Sequence, residues 1–337
     1  MKKKIILGAI VAIILATGFF AWKFFAAPVS TEKEGTYLYI KTGSTFKDVQ
    51  DELVKNKFMR STVWFRMVSK AVGYKVVKPG RYKVTKGMSL VNLVRMLKNG
   101  QQTPVNLVIT KIRTREILAE KIGNMFECDS AQVMKYMNNA DTLEAYGLDT
   151  NTLMSAVLPL TYEIKWNTTP DKIFRQFYTA YKNYWTDERK QKAAGHNLTP
   201  TGAVTLASII DEETNNPGDR PDIASVYLNR IAKGIPLQAD PTVKFALKDF
   251  GLRRIYESHT RVQSPFNTYV NKGLPPGPIC TPSLETVDAV LNSPKTDYLY
   301  FVANSDFSGS HIFTAKYEDH IKYAHLYQQE LNKRNVK

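Results

Sequence analysis

Three acids in a row, Asp211, Glu212 and Glu213, followed by Thr214, are the residues of this chain best equipped for chemistry. They close an apolar stretch in which Leu206, Ile209 and Ile210 recur at i, i+3 and i+4, the spacing of one helix face. Glu213, at i+7 from Leu206, falls on that same face, while Asp211 and Glu212 point elsewhere. A carboxyl turned toward an apolar environment beside two others loses hydration, and its pKa rises. A carboxylic acid still protonated near neutral pH can act as a general acid. The alternative is a solvated acidic cluster at a helix C-terminus. On spacing alone that plainer reading is favoured, because a helix end disfavours acids but tolerates them.

The elements that must hold these acids read outward from them. The segment 201–230 is a helix ending in the acids, a turn carrying Pro217 and Gly218, and a second helix. Loops dense in Pro and Gly follow at 234–242, 264–269 and 273–279; their restricted backbone can hold side chains such as Gln238, Asp240, Asn267 and Tyr269 in place. The run 298–302 reads as a strand, and 311–313, after the turn Ser308-Gly309-Ser310, as its hairpin partner. Upstream, 129–197 is helical in pattern and interrupted at 158–163. Its aromatic stripe of Phe174, Phe177, Tyr178 and Tyr181 repeats at helical spacing and reads as core in preference to a carbohydrate platform. Nearer the N-terminus come three strand–helix units, with strands at 37–40, 81–84 and 106–109. Ser44, Ser89 and Thr114 are their expected helix N-caps. The first two units, 35–101, read as a small α+β module.

Compartment is set by the first residues. Lys2, Lys3 and Lys4 precede an uncharged run over 5–22, about 27 Å of helix, close to the thickness of a bilayer's hydrocarbon. The lysines predict a cytoplasmic N-terminus with the bulk of the chain outside. A cleaved signal peptide would have a shorter apolar region and a small-residue cleavage site, which Phe24-Phe25-Ala26-Ala27-Pro28 matches poorly. An uncleaved anchor followed by a short linker over 28–35 is therefore expected. The remaining length is enough for two domains. A net charge of +15 would ordinarily suggest nucleic acid, but outside the cytoplasm anionic lipid head groups and cell-wall peptide carboxylates are the better partners. Two cysteines, Cys128 and Cys280, are too few for a disulfide scaffold; whether they pair is open. The five histidines are scattered without metal-ligand spacing, and there is no phosphate-binding glycine loop, so no metal and no cofactor is expected.

From Leu206 to His320 the chain resembles the YceG-like family, the MltG-type endolytic peptidoglycan transglycosylases of bacteria. The resemblance is carried by LASIIDEET at 206–214, ASVYLNR at 224–230, LQADPTV at 237–243, SPFNTY at 264–269, GLPPGPI at 273–279, YLYFVAN at 298–304 and the H-x-F of His311 and Phe313, in the family's order. LPLTY at 158–162 looks like a degenerate form of the family's FPDTY, with Leu160 where the pattern has Asp and Tyr162 retained. The family's E-x-E-T stands here as Asp211-Glu212-Glu213-Thr214, which assigns the catalytic role to Glu213. The resemblance implies an α+β protein: anchor at 1–27, LysM-like module at 28–102 and catalytic domain at 103–337.

The implied chemistry needs one acid. Glu213 would protonate the oxygen leaving the bond between N-acetylmuramic acid and N-acetylglucosamine. The resulting carboxylate would take the proton of the sugar's own C6 hydroxyl, which attacks C1 and closes a 1,6-anhydro ring. Gln238, Asp240, Asn267, Tyr269 and Tyr162 are the candidates for holding the glycan, each with a structural alternative. The expected setting is the inner membrane, single-pass with a periplasmic catalytic domain; glycan strands are the substrate and peptidoglycan synthases candidate partners. Two other readings stay open: a glycan-binding scaffold without activity, and a hydrolytic muramidase using Asp211 or Asp240 as second carboxylate.

Overall fold

The structure is a computed structural model that describes residues 2–25, 29, 35–252 and 254–333. The expected linker over 28–35 lies outside the described residues except for Val29 and Gly35. The protein is α+β, with helices around three two-stranded sheets among the described residues. The chain divides into two compact units. One comprises the described parts of Met1–Asn106 with Met125–Cys128 and Glu163–Thr169; the other comprises Leu107–Asn124, Asp129–Tyr162 and the described parts of Pro170–Lys337.

The first unit begins with α1 (Lys2–Phe25). Within it, Lys4–Lys23 is long and apolar enough to cross a membrane by length and composition, and Ile5, Leu7, Ile13 and Leu15 are exposed. A layer of β1 (Thr36–Ile40), α2 (Phe46–Lys55), α3 (Val63–Val72), β2 (Gly80–Val84) and α4 (Leu90–Asn99) follows. β1 and β2 pair antiparallel with Leu38 opposite Tyr82, and alternate residues Leu38, Ile40, Tyr82 and Val84 turn into the core. The helices cover that face with Val49, Leu53, Phe65, Val68, Leu93 and Leu97. Ser89 caps α4, its hydroxyl accepting from Asn92 N. The cap of α2 is Thr45, not Ser44: Thr45 and Asp48 exchange hydrogen bonds in a capping box, which needs a carboxylate three residues on and is out of register for Ser44.

The third strand–helix unit does not join the first two. β3 (Val105–Val108) pairs instead with β4 (Thr161–Ile164), the segment that interrupts the helices, and leads to α5 (Arg115–Met125). Thr114 accepts from Ile117 N at the start of α5, as expected of its cap. Then come α6 (Ser130–Met137), α7 (Ala140–Glu144), α8 (Pro170–Tyr184) and α9 (Asp187–Gly195). Phe174 and Phe177 of α8 are buried and Tyr178 and Tyr181 partly so, the core role expected of that stripe.

α10 (Pro200–Glu213) is the centre of the second unit. Thr199 caps it by accepting from Gly202 N, and Pro200 occupies the first turn, where its missing N–H costs nothing. From Ala203 to Asp211 every residue is buried, because α9, α11 (Arg220–Ala232), α12 (Asp240–Leu247) and α14 (Leu284–Leu291) all pack on it. Between the last two lies α13 (Glu257–Thr260). β5 (Tyr300–Ala303) and β6 (His311–Thr314) form the expected antiparallel hairpin, with Phe301 opposite Phe313, and α15 (Tyr317–Lys333) packs on it. Cys128 and Cys280 are both buried and form no disulfide with each other.

Candidate active site

α10 stops at its acids because Thr214 turns extended, at φ −138°, and the loop after it is fixed by side chains: Thr214 Oγ1 accepts from Asn216 N, and Asn216 Oδ1 from Gly218 N. The three acids therefore sit at the end of a helix buried on nearly every side. This corrects the expectation that Glu213 alone of the three is turned toward buried surroundings. Asp211 is only 6% exposed. Its Oδ1 accepts from Thr286 at 2.5 Å and Ser283 at 3.4 Å, and its Oδ2 lies 3.2 Å from Lys111 Nζ. Glu212 accepts from Arg113 at 2.9 Å. Apolar spacing on one helix could not separate these faces, because partners cover all of them.

Glu213 is the acid without a cationic partner at hydrogen-bond distance among the described residues. Tyr227 of α11, itself buried, donates its hydroxyl to Glu213 Oε1 at 2.7 Å. Loss of hydration pushes the Glu213 carboxyl up to about 7; the Tyr227 hydrogen bond opposes the rise, and the negative charge of Asp240 adds to it. Burial and the Glu213 charge together raise the Tyr227 phenol well above its ordinary value, so it stays a donor. One side of Glu213 opens on a cavity of about 550 Å³. That cavity is lined further by Thr214–Asn216 residues, by Ala303, Asn304 and His311 of the β5–β6 hairpin, by Phe307 in its turn and by Tyr327 of α15. A carboxyl that is protonated near neutrality and faces a sugar-sized cavity can donate a proton to a bound oxygen.

The candidate glycan residues separate into two groups. Asp240 opens α12 close enough to raise the Glu213 pKa, and Tyr269 donates to its Oδ1 at 2.6 Å. Gln238 is exposed, in the left-handed region at φ 54°, with Arg230 Nη1 3.4 Å from its Oε1. These three remain accessible or next to Glu213. Asn267 does not: it is 0% exposed, its amide donates to Thr260 O and Val262 O, and its Oδ1 accepts from Tyr269 N. It holds the loop that carries Tyr269 and has no free polar atom for a sugar. Tyr162 is likewise turned inward, its hydroxyl donating to Leu158 O and its ring packed edge-on to Phe177.

Sequence reading missed Tyr227, which follows Ile223 and Ala224 on the buried face of α11. A tyrosine on a core face needs a partner for its hydroxyl, and that was the available signal. It missed the pair of His311 and Asp219 as well, Nδ1 to Oδ2 2.8 Å, where a separation of 92 residues leaves no local signal. Arg230 of the YLNR run is a clamp: it donates to Leu299 O, Pro236 O and Leu237 O, joining α11 to the loop before α12 and to the residue that precedes β5.

Comparison with known proteins agrees along nearly the whole chain. The YceG-like family model matches residues 38–325. The chain is similar to the endolytic murein transglycosylase of Bacillus subtilis (strain 168), 30% identical over 96% of this chain and 93% of that protein. It is 27% identical to the endolytic murein transglycosylase of Streptococcus pneumoniae serotype 2 over 92% of this chain, which spans 62% of that longer protein. Among solved structures it resembles a YceG-like protein from Listeria monocytogenes, 28% identical with a TM-score of 0.57, over 86% of this chain and 99% of that one.

Proposed function

We propose, for a chain that belongs to the YceG-like family, an endolytic transglycosylase that cuts peptidoglycan glycan strands between N-acetylmuramic acid and N-acetylglucosamine. The enzyme class follows from the family and its curated relatives; the residues and steps are our reading. One observation carries them: Glu213, pushed up to about 7 by loss of hydration, faces a cavity large enough for sugar and has no cation at hydrogen-bond distance among the described residues. In this reading Glu213 protonates the bridging oxygen as it leaves. The C6 hydroxyl of the muramyl residue attacks C1, and the minimal base for its proton is the carboxylate just formed. Tyr227 steadies that carboxylate. Asp240, with Tyr269 holding it, supplies negative charge near the oxocarbenium-like centre, and Gln238 contacts the strand from the exposed rim.

Asp240 also supports a second reading, hydrolysis with Asp240 activating water, since a hydrolase needs a second carboxylate. Asp211 does not fit that role, because its oxygens are engaged by Thr286, Ser283 and Lys111. Borohydride treatment of product strands separates the two. Transglycosylation leaves anhydro ends that cannot be reduced; new reducible muramic acid ends in step with cleavage would overturn it.

The setting is also proposed. α1 anchors the chain in the cytoplasmic membrane with its N-terminus inside, which the lysines before the apolar run support. The strand–helix–helix–strand part of 28–102 is taken as a LysM-like module that presents Lys41, Lys47, Lys55, Lys75, Lys78 and Arg81 to the wall, with 103–337 as the catalytic domain. Synthases that extrude nascent strands at the same membrane are the fitting partners.

A further inference from the structure

His311, the first residue of β6, lines the same cavity as Glu213. Its Nδ1 is 2.8 Å from Asp219 Oδ2, with the two side chains only 15% and 10% exposed. Asp219 stands at the N-cap position of α11 yet makes no capping hydrogen bond. Its carboxylate is spent on the imidazole instead of the helix N-terminus, which is where an aspartate there would ordinarily go. A carboxylate only accepts, so Nδ1 carries the proton of this contact, which in a neutral imidazole leaves Nε2 as the lone-pair acceptor. Phe301 packs edge-on against the ring, centroids 5.5 Å apart, and limits its rotation. An imidazole with a fixed tautomer, on the wall of a cavity that also holds an acid, is the arrangement of a general base with its orienting carboxylate.

We propose that His311 is the base of ring closure, oriented by Asp219. The proposal rests on the transglycosylase reading and changes only which group receives the C6 proton. The bond from C1 to the bridging oxygen breaks as Glu213 gives its proton to that oxygen. The C6 oxygen bonds to C1, and its proton passes to His311 Nε2. Asp219 then stabilises the imidazolium. Transfer of one proton from His311 to the Glu213 carboxylate through cavity solvent restores both groups. The division suits Glu213, whose Oε1 already accepts from Tyr227, leaving Oε2 to carry the acid proton.

The test uses the full-length protein in detergent on purified glycan strands, with rates and end-group chemistry measured together. His311→Gln keeps a polar side chain of similar reach but cannot take a proton. It is expected to lower kcat by about a hundredfold or more with KM changed by less than about threefold. The remaining products should shift from anhydro toward reducing ends, because water competes once the C6 hydroxyl loses its base. Asp219→Asn, which keeps the hydrogen bond but not the charge, should move both readouts in the same direction to a smaller extent; it also serves if His311→Gln proves unfolded by circular dichroism. A folded His311→Gln with wild-type kcat and wild-type anhydro yield would overturn the assignment while leaving the transglycosylase reading intact. Reducing ends from the unaltered protein would overturn the transglycosylase reading, and this proposal with it.

Discussion

Two carboxyls two positions apart on α10 meet opposite environments. Asp211 is buried among hydroxyls and cations, with Arg220 also 3.6 Å from its Oδ1, while Glu213 is half-buried, beside a phenol and another acid. Removing the Asp211 charge leaves Lys111 and Arg220 without their buried partner, so Asp211→Asn should cost about 2–4 kcal/mol in stability. Activity should survive at temperatures where the variant stays folded; urea unfolding beside a rate measurement checks both halves. Glu213→Gln should behave in reverse, inactive but no less stable. The folded chain holds the Glu213 proton up to about pH 7, whereas an unperturbed glutamic acid loses it near 4.5. Folding therefore bears no ionisation cost below the lower value, and the full cost, up to about 3 kcal/mol, above the higher one. Glu213→Gln should accordingly melt higher than the unaltered protein in alkaline buffer and nearly level with it in mild acid. Equal melting temperatures across that range would show that Glu213 is not a desolvated acid. Because the Tyr227 hydrogen bond lowers the Glu213 pKa, Tyr227→Phe should shift the alkaline limb of the rate profile to higher pH. An unmoved or lowered limb would contradict the contact.

Local elements were legible where a short signal fixes them. Ser89 and Thr114 cap their helices, and the β5–β6 hairpin follows from an aromatic strand and a Ser-Gly-Ser turn. The cap of α2 was also in the sequence, as the three-residue spacing of Thr45 and Asp48, and was misplaced by one. What could not be read was which face of α10 each neighbour covers. Ser283 and Thr286 at the start of α14 are what make Asp211 structural, and they lie more than 70 residues away. The same holds for β3, whose partner β4 is set by contacts no strand propensity encodes. The proline-rich loop 273–279 reads from sequence as a rigid support, and its packing gives that idea a sharp test. A Cβ on Gly277 would stand 2.1 Å from Asn151 O, a backbone atom that cannot step aside. Gly277→Ala should lower the melting temperature by several degrees, about 1–3 kcal/mol, with matching loss of activity on heating. An unchanged melting curve would mean that the loop is free to move.

At the scale of the whole molecule, the resemblance gave the family and enzyme class that the comparisons show; anchor, LysM-like module and compartment belong to the proposal. The proposed site is contained in the second unit, since Glu213, Tyr227, Asp240, Tyr269 and the cavity all belong to it. A fragment of residues 103–337 should therefore fold and keep cleaving isolated strands. It gives up the basic surface of the first unit and leaves Glu127 without the two hydrogen bonds from Thr42, so some loss of stability and of affinity for intact sacculi is expected. A folded fragment with no cleavage at any concentration would place part of the chemistry in the first unit. The most direct measurement is mass spectrometry of the ends produced from purified glycan strands by the unaltered protein and by Glu213→Gln. The unaltered protein should yield muramyl ends lighter by one water, the 1,6-anhydro form, and Glu213→Gln should yield none. Hydrated reducing ends from the unaltered protein, or undiminished anhydro ends from Glu213→Gln, would contradict Glu213 as the acid of a lytic transglycosylase.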